Sequence, residues 1–215
     1  MKITAKAKRK ELTRMRQKQI LDVAAEVFSK NGYARTQVDE IANIAGLGKG
    51  TVYRYFKNKK LLFLSVGQRG MDRLTETILV EIEKEKDPIK KIERAIRAYL
   101  TFFEANSNLA RIFMEEQGEF KKKVRKRYFE YYYGHINKTR EIFKSAIAQG
   151  LFKDVDVDNA ISFLTSMLNG LIYMWQVEGM RYSLANKIPI ILEIFFTGVI
   201  NDDEKRSGYE FSKRR

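Results

Sequence analysis

The sequence predicts an all-α protein of about nine helices, and three of its features do so. Apolar residues recur at intervals of three and four, the period of one helix face. Gly or Asn follows the last apolar position of most such runs, where a left-handed C-terminal residue is expected. Both prolines, Pro88 and Pro189, fall where a helix can begin. The pattern divides into an N-terminal three-helix bundle over residues 1–60 and a larger helical domain over residues 61–215. A fourth helix, about 58–85, connects them.

Residues 1–11 are basic and without clear period. They read as a mobile arm, which either touches DNA phosphate or minor groove or serves only as a solubilising tail. The first helix is expected from Leu12 or Thr13, with Ile20, Leu21, Ala24, Val27 and Phe28 on its buried face and Asn31-Gly32 at its end. Tyr33 is expected to pack where this helix meets the next. Val38, Ile41, Ala42 and Ala45 then give one apolar helix face, with Thr36 as the expected N-cap and Gly46 as the left-handed stop. Gly48 and Gly50 flank Lys49 and open a second short helix, about Lys49 to Phe56, which turns Val52 and Phe56 inward. Lys49, Thr51, Tyr53 and Tyr55 are left outward, followed by Lys57, Lys59 and Lys60. Two short helices on a tight turn make a helix-turn-helix. An outward face that is polar, aromatic and basic suits a DNA major groove flanked by phosphates.

Leu61, Leu62, Leu64 and Val66 are expected to pack the start of helix four, and Met71, Leu74, Ile78 and Ile82 continue its stripe. Gly67 and Gly70 interrupt it, either as a soft point in a lever between two domains or simply to allow close packing. Asp87-Pro88 starts helix five, which carries Ile89, Ile92, Ile96, Tyr99 and Phe103 and breaks at Asn106-Ser107-Asn108. Helix six is expected over about Leu109 to Glu116 and helix seven over about Glu119 to Gln149, stopping at Gly150. Val155-Asp156-Val157-Asp158 opens helix eight, which runs to Glu178 and Gly179. Pro189 is tolerable only in a first turn, so helix nine is expected to start from an Asn186 cap and end near Ile200. Residues 201–215 are charged and expected to fray.

Composition narrows the function. The chain has no cysteine, which removes disulfides, thiol catalysis and cysteine-ligated zinc and fits a cytoplasmic protein. No apolar run is long enough to span a bilayer, so no membrane association is expected. Residues 1–60 hold 15 Lys and Arg against 5 Asp and Glu, and the remainder holds 26 against 22. Most of the excess charge therefore sits on the helix-turn-helix segment, the electrostatic footprint of a nucleic-acid-binding module. An enzyme on a helical scaffold is the rival. It fares poorly, with one histidine, no Gly-rich phosphate loop on a strand and no metal-spaced cluster. No catalytic residue, metal or cofactor is assigned.

The run GYARTQVDEIANIAGLGKGTVYRYFKNKKLLF closely resembles the DNA-binding signature of TetR/AcrR-type transcriptional regulators. The Gly-aromatic pair, the Thr, the Ile-Ala pair, the Ala-Gly turn, Lys-Gly-Thr-Val-Tyr, Tyr-Phe and Asn-Lys follow in order. One departure is Gly48, where the family often has a Ser that would cap the recognition helix. The resemblance implies a ligand-responsive repressor: a homodimer on double-stranded DNA, each subunit placing one recognition helix in the major groove of a palindromic site. An architectural DNA-binding protein without an effector is the alternative. On the bundle, Gln37, Lys49 and Tyr53 are the expected base-edge residues, with Gly50 allowing close approach, and Thr36, Thr51, Tyr55 and Lys59 the expected phosphate contacts.

The last two helices are apolar almost all round, and such a helix must be covered on every side. The family resemblance implies that they pair with a second subunit's copies as a four-helix bundle; two core helices of a monomer would be the other solution. Leu164, Leu168, Leu171, Ile191, Phe195 and Val199 are the expected interface, with Gly170 and Gly198 permitting close approach. Aromatic and Met residues crowd helices five to eight. The resemblance implies an effector cavity there, with Tyr99, Phe103, Phe113, Tyr128, Tyr131, Met167, Tyr173 and Trp175 as its lining and a hydrophobic small molecule as its occupant. The lone His135 reads as a helix residue rather than a ligand. The dense basic run at residues 121–127 is either a solvated face paired with Glu115, Glu116 and Glu119, or a seat for the phosphates of an acyl-coenzyme A. An aromatic or cationic compound held by tyrosines and Glu115 or Glu116 is the other effector class. The local excess of positive charge favours a neutral or anionic hydrophobe.

Overall fold

The computed structural model describes the backbone of residues 5–119 and 136–199. Phe120, the basic run at 121–127, Tyr128, Tyr131, Tyr132, His135, Ile200, the 201–215 tail and the side chains of Glu116 and Glu119 lie outside the described residues. Nine α-helices are described: α1 (Ala5–Arg35), α2 (Val38–Ile44), α3 (Lys49–Tyr55), α4 (Lys59–Glu83), α5 (Pro88–Ala105), α6 (Ser107–Glu119), α7 (136–148), α8 (Val157–Val177) and α9 (Ile188–Val199). A short 3-10 turn, Leu184–Lys187, precedes α9. The chain divides into two compact units, one of Met1–Asp72 with Asn108–Lys121 and one of Arg73–Ser107 with Lys122–Arg215.

The first unit is the helix-turn-helix bundle with most of α6. α1 begins at Ala5, earlier than its apolar period suggested. Its first turns are Lys, Arg, Glu, Gln, Ala and Leu, residues that form helix without a buried face; Leu12 and Met15 are indeed exposed. The helix breaks at Gly32, where φ 76 and ψ 164 suit glycine alone, and one further turn follows. Ile20, Ala24, Val27 and Phe28 are buried. Tyr33 lies 6.2 Å from Phe28 and 5.0 Å from Phe63 of α4, and Phe28 and Phe63 meet edge-on at 4.9 Å. Gln19 of α1 donates through Nε2 to the Ala45 carbonyl at 2.8 Å, tying α1 to the end of α2.

α4 starts with Asn58 accepting from the Leu61 amide at 2.8 Å. Leu62, Phe63 and Val66 are buried, whereas Leu61, expected to pack, is exposed, one position off the buried stripe. A Cβ on Gly70 would meet the Leu109 side chain of α6 at 3.0–3.1 Å, so here the glycine permits close packing. α6 adds a second link. Its Glu115 carboxylate accepts the Tyr33 amide at 2.5 Å, beside the Gly32 break.

The second unit is built on α5, α7, α8, α9 and the end of α4. Asp87 caps α5 by accepting from the amides of Ile89 and Lys90, with Pro88 in the first turn. Arg94 of α5 bridges Glu81 in the last turn of α4 and Glu85 just beyond it. Gly150, at φ 73, ends α7, and the Leu151 and Gly150 amides donate back to Ala146 and Ile147. Asp156 caps α8 through the Asn159 amide. Arg140 of α7 grips both oxygens of Asp158 on α8. Phe143, Phe152, Phe195 and Phe196 form the aromatic centre, with ring separations of 5.6–6.1 Å. The start of α9 departs from expectation. Ser183, not Asn186, provides the cap, accepting from Ala185 at the head of the 3-10 turn. Glu104 of α5 holds the same Ala185 amide and the Ser183 hydroxyl.

Glu115→Ala would leave the Tyr33 amide without its acceptor, a loss of roughly 1 kcal/mol for one partly buried hydrogen bond. A melting temperature lowered by a few degrees, largely restored in Glu115→Gln, is the expected result of a calorimetric scan.

Candidate functional site

The reading face is set by how α2 ends. Gly46, at φ 63, follows the Ala45 C-cap; its amide donates to Asn43 and the Leu47 amide to Ala42. These paired bonds satisfy the last carbonyls of α2 and turn the chain sharply into α3. Val38, Ile41, Ala42, Ala45, Val52 and Phe56 are buried beneath the turn. Their alternates face out. Gln37, at the extended N-cap of α2, is exposed, as are Lys49 and Tyr53, while Thr51 and Tyr55 are half-buried. Added Cβ atoms on Gly48 and Gly50 would meet nothing within 4 Å, and neither residue has a positive φ. Neither packing nor backbone conformation therefore requires these glycines.

Lys49 is not alone on this face. Its ammonium is 2.6 Å from Oδ2 of Asp39 on α2, and both side chains are about half exposed (51% and 53%). The hydrogen bond to Asp39, then the carboxylate's charge, holds the Lys49 pKa above the ordinary lysine value. Sequence reading passed over Asp39. Only the turn geometry brings position 39 beside position 49.

Two expected phosphate contacts are placed differently. Thr36 is fully buried, and its hydroxyl donates to the Gly32 carbonyl at 2.7 Å. It neither caps α2, a position taken by Gln37 without a side-chain bond, nor presents a surface to phosphate. Lys59 donates to the carbonyls of Ala34 (3.1 Å) and Thr36 (2.9 Å), with its ammonium 4.5 Å from the centre of the Tyr33 ring. This lysine thus closes the corner that carries Gln37.

In the second unit the expected residues separate. Tyr99, half-buried, donates from its hydroxyl to Asn169 Oδ1 at 2.7 Å and lies 5.1 Å from the buried Phe103. Met167 is half-buried. Trp175 is buried with its indole N–H on the Tyr182 carbonyl at 2.7 Å, so it fastens the loop after α8. Tyr173 is 53% exposed. Phe113 belongs to the first unit, against Gly70. Tyr128 and Tyr131 lie outside the described residues.

The expected dimer residues turn inward in the single chain: Leu164, Leu168, Ile191, Phe195 and Val199 are buried in it, and Leu171 is half-buried. The outward apolar side chains are Phe163, Tyr173, Met174 and Val177 on α8, and Ile190 and Ile194 on α9. Gly170 and Gly198 are exposed, with open space around each. A helix apolar on every side carries no phase in its sequence, so periodicity could not say which face turns inward.

Residues 20–66 match the family model described as bacterial regulatory proteins, tetR family, and residues 85–182 match the tetracyclin repressor-like C-terminal domain. The fatty acid metabolism regulator protein of Bacillus subtilis (strain 168) is 28% identical over 184 residues, 85% of this chain and 95% of the relative. The crystal structure of FadR from Bacillus subtilis in complex with stearoyl-CoA superposes with a TM-score of 0.77 at 27% identity, over 84% of this chain and 97% of that one. FadR from Bacillus halodurans, at 24% identity, has a TM-score of 0.78 over 85% and 95% of the two chains, a likeness of fold. Among the described residues no helix is long and apolar enough to cross a membrane. The two family matches fall on the helix-turn-helix and on the helices that follow it in sequence, and the chain belongs to the TetR family as a helix-turn-helix DNA-binding transcriptional regulator rather than an enzyme.

Proposed function

We propose that the protein is a cytoplasmic homodimeric repressor, released from a palindromic operator when a long-chain acyl-coenzyme A binds its second domain. The carrying observation is the extent of the match to the fatty acid metabolism regulator, which runs through the effector half rather than stopping after the reading head. The charge of the chain agrees. The basic run at 121–127 offers cations for the phosphates and adenine-side anions of such a ligand, and Tyr99, Phe103 and Met167 offer apolar surface for its chain. The cationic-ligand alternative is weakened, because the Glu115 carboxylate is engaged by the Tyr33 amide. In this reading residues 1–60 form the DNA-binding domain and residues 61–215 the effector and dimerisation domain.

At the operator, Gln37, Lys49 and Tyr53 meet base edges, Thr51 and Tyr55 meet phosphate, and Gly50 lets the duplex backbone come close. Gly50→Ala separates this role from folding. In a helix the substitution favours the folded state by up to about 1 kcal/mol. The expected variant melts no lower than the parent yet binds operator duplex more weakly in a fluorescence-anisotropy titration; unchanged affinity would mean that nothing approaches Gly50.

The outward row of α8 and α9 supports the dimer. Phe163, Gly170, Met174 and Val177 recur at helical spacing, as do Ile190 and Ile194. Burying this row against a second copy removes apolar surface from water. Phe163→Glu and Ile194→Glu are expected to sediment as folded monomers, because a buried unpaired charge opposes association. Leu168→Glu is expected to unfold the subunit itself. A parent that sediments as a stable monomer at micromolar concentration would end the dimer reading.

The ligand must bind the DNA-free state more tightly than the DNA-bound state, or it shifts nothing. Reciprocity then fixes a number. If stearoyl-coenzyme A weakens operator binding by a factor in the usual allosteric range, about 5- to 150-fold, operator must weaken stearoyl-coenzyme A binding by the same factor. Isothermal titration with and without saturating duplex measures both. Equal affinity in the two titrations would exclude acyl-coenzyme A as the inducer.

A further inference from the structure

Asp39 is a carboxylate on the reading side of a strongly basic head. Its neighbour Glu40 has a role in the fold, since both of its oxygens accept from Asn31 Nδ2 of α1. Asp39 instead meets Lys49 at 2.6 Å, with both groups open to solvent. An ion pair this exposed adds little to folding. Near DNA a carboxylate repels phosphate and subtracts from sequence-independent affinity. On these grounds alone the pair gives nothing to the fold and opposes binding.

Its donor and acceptor geometry gives it a use. An ammonium has three donors and no acceptor, and an ionised carboxylate only accepts. With one N–H directed to Asp39, Lys49 keeps two for other partners, and Asp39 keeps Oδ1 and further lone pairs. The major-groove edge of a G·C pair is the complement. Guanine N7 and O6 are two adjacent acceptors, and the next group along is the cytosine N4 amino donor. An A·T pair interleaves its groups differently, with the adenine amino donor between N7 and the thymine O4. There the ammonium would face a donor.

We infer that Asp39 and Lys49 act as one reading unit that selects a G·C base pair in each half-site, Lys49 on the guanine and Asp39 on the cytosine. Asp39 is then a specificity-determining residue, which lowers affinity for DNA in general and restores it at one base pair. This rests on the reading of α3 as the helix that enters the groove.

The test uses the full-length parent, Asp39→Asn and Lys49→Met, each selected against a randomised duplex library. The best duplex and a random duplex are then titrated. The best duplex is remade with each of the four base pairs at every position. The parent should fix G·C at one position per half-site, with other pairs there weaker by about 5- to 150-fold. Both variants, melting as the parent does, should lose the preference at that position and keep it elsewhere. Asp39→Asn should also bind random duplex more tightly than the parent. Lys49→Met should bind random duplex more weakly than the parent, because it leaves the Asp39 carboxylate without its cation near the phosphates. An unchanged consensus in Asp39→Asn, or one common factor of change on selected and random duplexes, would overturn the inference while leaving the recognition helix in place. A parent that selects no sequence would overturn both.

Discussion

The reading head depends on one corner of backbone. At Gly32 the chain leaves α1 in a conformation that only glycine adopts without strain, and this exposes backbone groups that must find partners. The Gly32 carbonyl accepts the Thr36 hydroxyl, the Tyr33 amide goes to Glu115, and the carbonyls of Ala34 and Thr36 go to Lys59. Residues from α4 and α6 therefore fix the point at which α2 begins. Gln37 follows directly, so the placement of a side chain proposed to read DNA is decided by bonds within the protein.

That dependence explains why some residues mislead when read from sequence. Thr36 sits where an N-cap belongs and has the right chemistry, but the chain needs its hydroxyl one turn back, against the Gly32 carbonyl. Lys59 looks like a free cation at the end of a basic run, yet it is a backbone partner first. The buried face and the turn of the helix-turn-helix were legible. Its apolar positions have a clear phase, and Gly46 marks the left-handed residue that turns α2 toward α3. In α5 the same clarity held, with Asp87 and Pro88 marking its start and Ile89, Ile92 and Ile96 its buried face. In α8 and α9 the phase was missing, because Leu164 and Phe163 are equally apolar while one is buried and the other 74% exposed. Their inward faces follow from packing against the rest of the second unit, information that no single helix contains.

The glycines sort by what surrounds them. Gly32 and Gly46 are there for backbone conformation, Gly70 for the approach of Leu109, and Gly48 and Gly50 for neither. At Gly50, inside α3, helix propensity is given up on an exposed face. The same face carries Asp39 and Lys49, whose ion pair likewise adds little to stability. A surface that repeatedly sacrifices stability is where selection for recognition is most easily seen, because the fold offers no competing reason.

Trp175 gives the molecule an optical property. It is the only tryptophan in the chain, it is buried, and its indole N–H is bound to the Tyr182 carbonyl beyond the end of α8. The indole emission of this protein therefore comes from a single dry, hydrogen-bonded site in the second unit. Its colour responds to water and its intensity to nearby quenchers, so loosening of that loop would shift emission to the red without any label. Opening of the second unit around α8 would therefore be read directly in the emission of one indole.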